Sequence, residues 1–241
     1  MLGISTLAFR DVPIDEALDE IEKLCGHVEI FSEGKHDLFP DPDILSCFDL
    51  SCSVHAPIRD INIASPREQT REASLDILTD MAEICMSIGA EVMVIHPGYV
   101  YDADLREEGL RKLSQSLRTL SGVASETGVR ICLENMPADR FLLFQKPGEA
   151  ELPENIGFAL DIGHAHTNGV LEEFLNERTP DHFHIHDNDG TGDQHLAFGD
   201  GSIGLPELEK IRRAYGALMI IENKSAENAL KSLKVLKENG F

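Results

Sequence analysis

Residues 130–135 read RICLEN. In an extended strand Ile131 and Leu133 point one way and Cys132 and Glu134 the other. The apolar pair suits a covering helix layer, and a carboxylate then closes the opposite face at the strand's C-terminal end. Moving outward, residues 156–161, IGFALD, repeat the arrangement, with Phe158 and Leu160 opposing Gly157, Ala159 and Asp161. Residues 217–222, ALMIIE, do so again, with Met219 and Ile221 opposing Leu218, Ile220 and Glu222. Carboxylates are depleted in strands and costly to bury unless paired or metal-bound. Strands that all carry one at the same end predict side chains converging on the axis of a closed sheet.

The same rhythm extends along the chain. Apolar runs at Leu2–Phe9, His27–Phe31, Leu50–His55, Glu91–His96, Arg130–Glu134, Ile156–Asp161, His182–His186 and Ala217–Glu222 give eight candidate strands. Amphipathic stretches lie between them: Ile14, Leu18, Ile21 and Leu24 share one face, as do Leu78, Met81, Cys85 and Ile88, Leu110, Leu113, Leu117 and Leu120, and Leu230, Leu233 and Leu236 near the end. Eight strand–helix units without a linker predict an α/β fold, a single (β/α)8 TIM barrel over residues 1–241. Two helical segments are weak. Pro40 and Pro42 bracket a short second one, and Pro147, Gly148 and Pro153 turn residues 140–154 into loop.

Composition narrows the function. Lys and Arg total 21 against 43 Asp and Glu, a formal charge of −22, which repels nucleic acid and anionic membrane unless positive charge is gathered locally. The five cysteines are odd in number and form no C-x-x-C, which predicts reduced, mostly buried thiols and a cytoplasmic protein. No signal peptide or membrane-spanning run is visible.

Six successive strands finish on a residue that can bind metal. The third ends SCSVHAP at His55, the fourth VMVIHPG at His96, the fifth at Glu134, the sixth GFALDIGH with Asp161 and His164, the seventh HFHIHDND at His186, and the eighth at Glu222. A lone His or Asp at a strand end is ordinarily a cap or a turn residue. Six together, at the C-terminal mouth where barrel enzymes carry their active sites, predict a divalent-metal pocket. The loop after the seventh strand adds Asp193 and His195, two apart and able to chelate together, followed by the turn Gly199-Asp200-Gly201, whose glycines would let backbone approach a ligand.

With these residues the chain resembles the xylose isomerase-like barrels (AP endonuclease family 2), which include endonuclease IV and the sugar isomerases and epimerases. The resemblance spans nearly the whole chain. It implies a three-zinc ligand set of the endonuclease IV kind at His55, His96, Glu134, Asp161, His164, His186, Asp193, His195 and Glu222, all nine positions being filled. For the epimerases it implies a smaller set around one manganese-like ion: Glu134, Asp161, His186 and Glu222, with His164 on the substrate.

Two chemistries follow. In an isomerase or epimerase, Glu134 and Glu222 would be the catalytic pair, moving a proton alpha to a metal-bound carbonyl of a small sugar or sugar phosphate, while His164, Lys224 and Arg59 hold substrate. In a phosphodiesterase such as an AP endonuclease of DNA repair, His55 and His96 would complete a first site, Glu134 would bridge to a second with Asp161, His186 and Glu222, and His164, Asp193 and His195 would form the third. The charge, the absence of Trp and the acidic seventh loop (Asp187, Asp189, Asp193, Asp200) favour a small substrate over DNA; His55 and His96 weigh the other way. A non-catalytic metal barrel is the third reading, although nine donors exceed what one structural zinc needs. The sequence leaves the ion as zinc or manganese, one to three per chain, and leaves a homo-oligomer open. Among other residues, His182 and His184 fall inward below His186 as partners of ligands, Glu29 could reach substrate, Glu33 reads as a solvated loop end, Asn135 and Asn188 as orienting or turn residues, and His166 as a competitor for the role of His164.

Overall fold

The computed structural model describes residues 1–216 and 218–241. Eight parallel strands close into a barrel in chain order: β1 (Leu2–Ser5), β2 (His27–Phe31), β3 (Ser51–His55), β4 (Val92–Ile95), β5 (Arg130–Glu134), β6 (Ile156–Asp161), β7 (His182–Ile185) and β8 (Met219–Ile221), with β8 returning to β1. Helices α1 (Ile14–Glu22), α2 (Glu68–Ile88), α3 (Arg106–Thr127), α4 (Ile162–Asn168), α5 (Leu171–Glu177), α6 (Leu205–Tyr215) and α7 (Ala226–Glu238) surround it. This is the expected (β/α)8 barrel. The weak segments behave as their prolines dictate: only short 3-10 turns (Gly34–His36, Pro42–Cys47) follow β2, and an irregular loop follows β5.

The outward strand residues form the main core. Ile4, Val28, Ile30, Val54, Met93, Ile95, Ile131, Leu133, Phe158, Leu160, Phe183, Ile185, Met219 and Ile221 are all buried against the helices. Inside the barrel the apolar filling is small: Val94, Cys132 and Ala159 make a separate cluster. The remaining space is polar. Glu29 on β2 meets His182 and His184 on β7, strands that are not neighbours, so these side chains cross the lumen. A barrel axis is usually filled with branched aliphatics; here it carries charge.

Two expectations are corrected, and one falls outside the described residues. The first run is strand only to Ser5; Thr6–Phe9 turn into a 3-10 helix capped by the Ser5 hydroxyl, which accepts from the Leu7 N–H at 3.3 Å. Ala217, at the start of the expected eighth run, lies outside the described residues. Leu230 is exposed, because the buried face of α7 is Ala229, Ser232, Leu233 and Leu236. All five cysteines are free thiols, with Cys85 and Cys132 buried and Cys47 exposed. Among the described residues no helix is long and apolar enough to cross a membrane.

Candidate metal centre

Strand polarity carries the nine predicted donors to one mouth. Glu134 is the hub. Its Oε2 lies 3.3 Å from His55 Nε2 and 3.0 Å from His96 Nε2, and its Oε1 lies 3.0 Å from His184 Nδ1. Asp161 ends β6 and caps α4, its Oδ1 accepting the His164 N–H at 2.6 Å; the D-x-x-H spacing therefore sets His164 on the first helical turn, beside the cap. His186 follows β7 with its Nε2 3.2 Å from Asp161 Oδ1 and 3.6 Å from Asp193 Oδ1. Its ring stacks on His195 with centroids 3.9 Å apart. Gly163 makes room for it, since a Cβ there would collide with the imidazole. Asp193 Oδ1 also faces His195 Nε2 at 3.0 Å and His164 Nε2 at 3.5 Å. Glu222 approaches from β8, its Oε2 3.7 Å from His184 Nδ1.

Among the described residues four groups of donor atoms lie within 4.8 Å of one another: His55, His96 and Glu134; Glu134, Asp161, His184 and Glu222; His164, His186, Asp193 and His195; and, on the lumen axis, Glu29, His182 and His184. His186 belongs to the third of these, between the second and third sites expected from the sequence.

Hydrogen bonding separates ligand histidines from a structural one. His55, His164, His186 and His195 turn Nδ1 to the backbone carbonyls of Ala56 (2.9 Å), Asn135 (2.9 Å), Asp187 (3.4 Å) and Glu222 (2.5 Å). An Nδ1–H donated to a carbonyl leaves the Nε2 lone pair aimed into the pocket, the orientation a metal ligand needs. His184 has no such freedom. Its Nδ1 hydrogen-bonds Glu134 Oε1 at 3.0 Å, and its Nε2 lies 2.7 Å from Glu29 Oε1 in an ion-pair contact without hydrogen-bond geometry. Burial opposes its charge, yet Glu29, Glu222 and Glu134 hold its pKa well above the ordinary histidine value. The His184 bond fixes Glu134 Oε1 from across the lumen.

Three buried polar atoms at the mouth have no hydrogen-bond partner: Asp161 Oδ2, His186 Nε2 and Asp193 Oδ1. Orphaned acceptors in a buried cluster call for an ion. The fit extends to the carboxylates. Burial opposes ionisation of Glu134, but its histidine partners, His184 foremost, hold it well below the ordinary carboxylate range. Glu222 differs: burial first, then the nearby Glu134 and Asp161, push it up to about 7. These residues fit divalent metal, and the donor set of imidazoles and carboxylates suits zinc or manganese.

Several expected roles change. Lys224 Nζ is paired with Asp193 Oδ2 at 3.1 Å at the mouth. Arg59 stands exposed at the rim, 3.9 Å from Glu33. Glu33 is not solvated: its Oε1 accepts the N–H groups of Ile58 (2.8 Å) and Arg59 (2.7 Å) and pins the loop after β3. Glu29 is fully buried in the lumen, against His182 and His184. His166 turns away to Ser202 Oγ at 2.9 Å. Asp187, expected as a repelling surface charge, is buried and accepts the N–H groups of Gly199, Gly201 and Ile203, each at 3.0 Å, so the glycine turn closes on Asp187 and not on a ligand. Asn135 orients its neighbours, exchanging hydrogen bonds with the Asp161 backbone at 2.8 and 3.0 Å. The inward parity of His27, Glu29 and Phe31 was the signal that Glu29 belongs to the lumen, but no rule of alternation says how far up the axis a side chain sits.

The fold is matched by known proteins. A family model described as the xylose isomerase-like TIM barrel covers residues 44–239. The chain belongs to that family. An uncharacterized protein of Methanocaldococcus jannaschii is 36% identical over 250 residues, covering 98% of each chain. A probable endonuclease 4 of Mycobacterium leprae is 31% identical over 223 residues, covering 86% of this chain and 85% of its own. A crystal structure of a D-tagatose 3-epimerase-like protein superposes with a TM-score of 0.89 at 31% identity, covering 98% of this chain and 96% of that one.

Proposed function

We propose that the protein is a multinuclear, zinc-dependent hydrolase of small phosphoesters. One observation carries the reading: His55 and His96 converge on Glu134 Oε2 as a donor group of their own, apart from the group around Asp193. A single-ion isomerase has no use for them. The similarity to the probable endonuclease 4 supports the same chemistry. The ligands would be His55, His96 and Glu134; Glu134, Asp161 and Glu222; and His164, His186, Asp193 and His195. Divalent ions held there would acidify water at neutral pH and neutralise phosphate charge.

The chain's own groups prepare the site. His184 fixes one oxygen of Glu134 and leaves the other to His55 and His96. Lys224 offsets part of the charge of Asp193. Arg10, Lys35, Arg59 and Lys224 line a mouth cavity of about 540 Å³ together with Asp11, Glu33, Glu134, Asp193 and Glu222, so basic groups stand beside the acidic donors on a chain of net −22. That volume suits a small molecule. The free thiols fit a reducing, cytoplasmic setting.

A second reading has its own support. The likeness to the D-tagatose 3-epimerase-like protein favours an isomerase or epimerase of a sugar or sugar phosphate, in which Glu134 and Glu222 move the proton and His164 and Arg59 touch substrate. Metal content of untagged protein purified without chelator separates the two. About three zinc ions per chain, with His55→Ala abolishing hydrolysis, supports the hydrolase. About one ion per chain, with His55→Ala active on a sugar panel, overturns it in favour of the isomerase.

A further inference from the structure

The metal mouth has a second lobe. A cavity of about 310 Å³ opens beside His96, His164 and Asp193, and its other walls are Ile58, Ile61, Tyr99, Met136, Pro137 and Leu142. The lobe with Arg10, Lys35 and Arg59 lies against the same candidate donors and shares Ile58, but no Lys or Arg among the described residues lines the second lobe.

The apolar lobe is built rather than incidental. Its walls come from the loops after β3, β4 and β5, and the last two are joined by an antiparallel bridge of Tyr99 with Leu142. The Val100 N–H donates to the Phe141 carbonyl at 2.9 Å, and the Leu143 N–H to the Gly98 carbonyl at 3.3 Å. The buried side chain of Asn62 fastens the β4 loop from beneath: its Nδ2 donates to the Tyr99 carbonyl at 2.9 Å, and its Oδ1 accepts from Tyr99 N–H at 3.2 Å and Ala64 N–H at 3.1 Å. Gly98 is required there. Its φ of +91° is left-handed and its Cα lies so close to Asn62 Oδ1 that a Cβ would collide. A rigid apolar wall beside a metal centre selects for shape and against hydroxyls, which would lose their partners on entry.

We propose that this lobe is the subsite for the organic group of the substrate, and that it accepts a flat, largely apolar ring, so the substrates are phosphoesters of an aromatic or nucleobase-like group. The inference rests on the hydrolase reading for the phosphate's place at the metals. The volume agrees, since an apolar cavity of about 150 Å³ already holds benzene. Tyr99, at the rim, offers a ring face for stacking.

The test is calorimetric binding to the zinc-loaded protein of two phosphonates with equivalent metal-binding ends, phenylphosphonate and methylphosphonate. Phenylphosphonate should bind at least about tenfold more tightly. Leu142→Gln, at a half-buried position, should weaken phenylphosphonate about tenfold and leave methylphosphonate within about twofold. Ile58→Ser provides the same comparison should Leu142→Gln fail to fold. Equal affinities in the wild type, no binding of either ligand, or equal losses for both ligands in a variant overturn the subsite. Hydrolysis is read separately: a ring preference in binding without turnover of any phosphoester sinks the hydrolase reading and leaves the subsite standing.

Discussion

Glu29→Gln keeps the shape of the barrel axis and removes its buried negative charge. Glu29 is fully buried, with Oε2 2.7 Å from His182 Nε2 and Oε1 2.7 Å from His184 Nε2, and it accepts from Ser53 Oγ at 2.9 Å. Opposite unit charges about 4 Å apart attract by about 4 kcal/mol at an effective dielectric of about 20. Removing one partner of a buried pair typically costs about 3–5 kcal/mol, because the other is left uncompensated. The pH window follows from the directions of the shifts. Glu29 is held below its ordinary 4.5, against burial and by His184 first, so its contribution is present above 4.5 and is lost as pH falls through its folded value. His184 is held above its ordinary 6.5, so its contribution is complete below 6.5 and is lost as pH rises through its folded value. The pair therefore stabilises most between about pH 4.5 and 6.5. Urea unfolding of wild type and variant at pH 6, with chelator present to keep metal linkage out, should differ by about 3–5 kcal/mol, or roughly 6–20 °C in Tm for a chain of this size. A difference under about 1 kcal/mol at pH 6 would refute the charged pair of Glu29 and His184.

Three further outcomes are expected. His27 is pushed down to about 4, mainly by burial, while bonding Ser51 and Ser53, so its contribution is intact above 6.5 and is lost as pH falls towards 4; His27→Gln should remove up to about 3 kcal/mol of the acid sensitivity between those limits, read from unfolding curves across pH. Asp187→Asn leaves at least one loop N–H without its acceptor, so stability should fall by about 1–3 kcal/mol and amide exchange should accelerate across residues 188–203; unchanged exchange there would show that Asp187 does not hold the loop. Glu222→Gln should abolish turnover with the fold intact by circular dichroism, and near-normal activity would take Glu222 out of the mechanism.

The chain's periodicities determined the barrel. Alternation along residues 130–134, 156–161 and 219–222 assigns each side chain to lumen or helix layer, because a strand's side-chain period is fixed at two. The same parity placed His55, His96, Glu134, Asp161, His186 and Glu222 at one mouth before any distance was known. Local rules also marked the missing second and fifth helices, since proline ends a helix wherever it falls. Tertiary structure decided what depends on strands far apart in sequence. That Glu29 meets His182 and His184 across the lumen, that four other histidines turn Nδ1 to backbone carbonyls and Nε2 to the mouth carboxylates, and that Asp187 is an anchor for its own loop all depend on barrel stagger and loop closure. Parity says which way a side chain points; only the closed barrel says which residue it meets, and in a low-dielectric interior that meeting sets its charge.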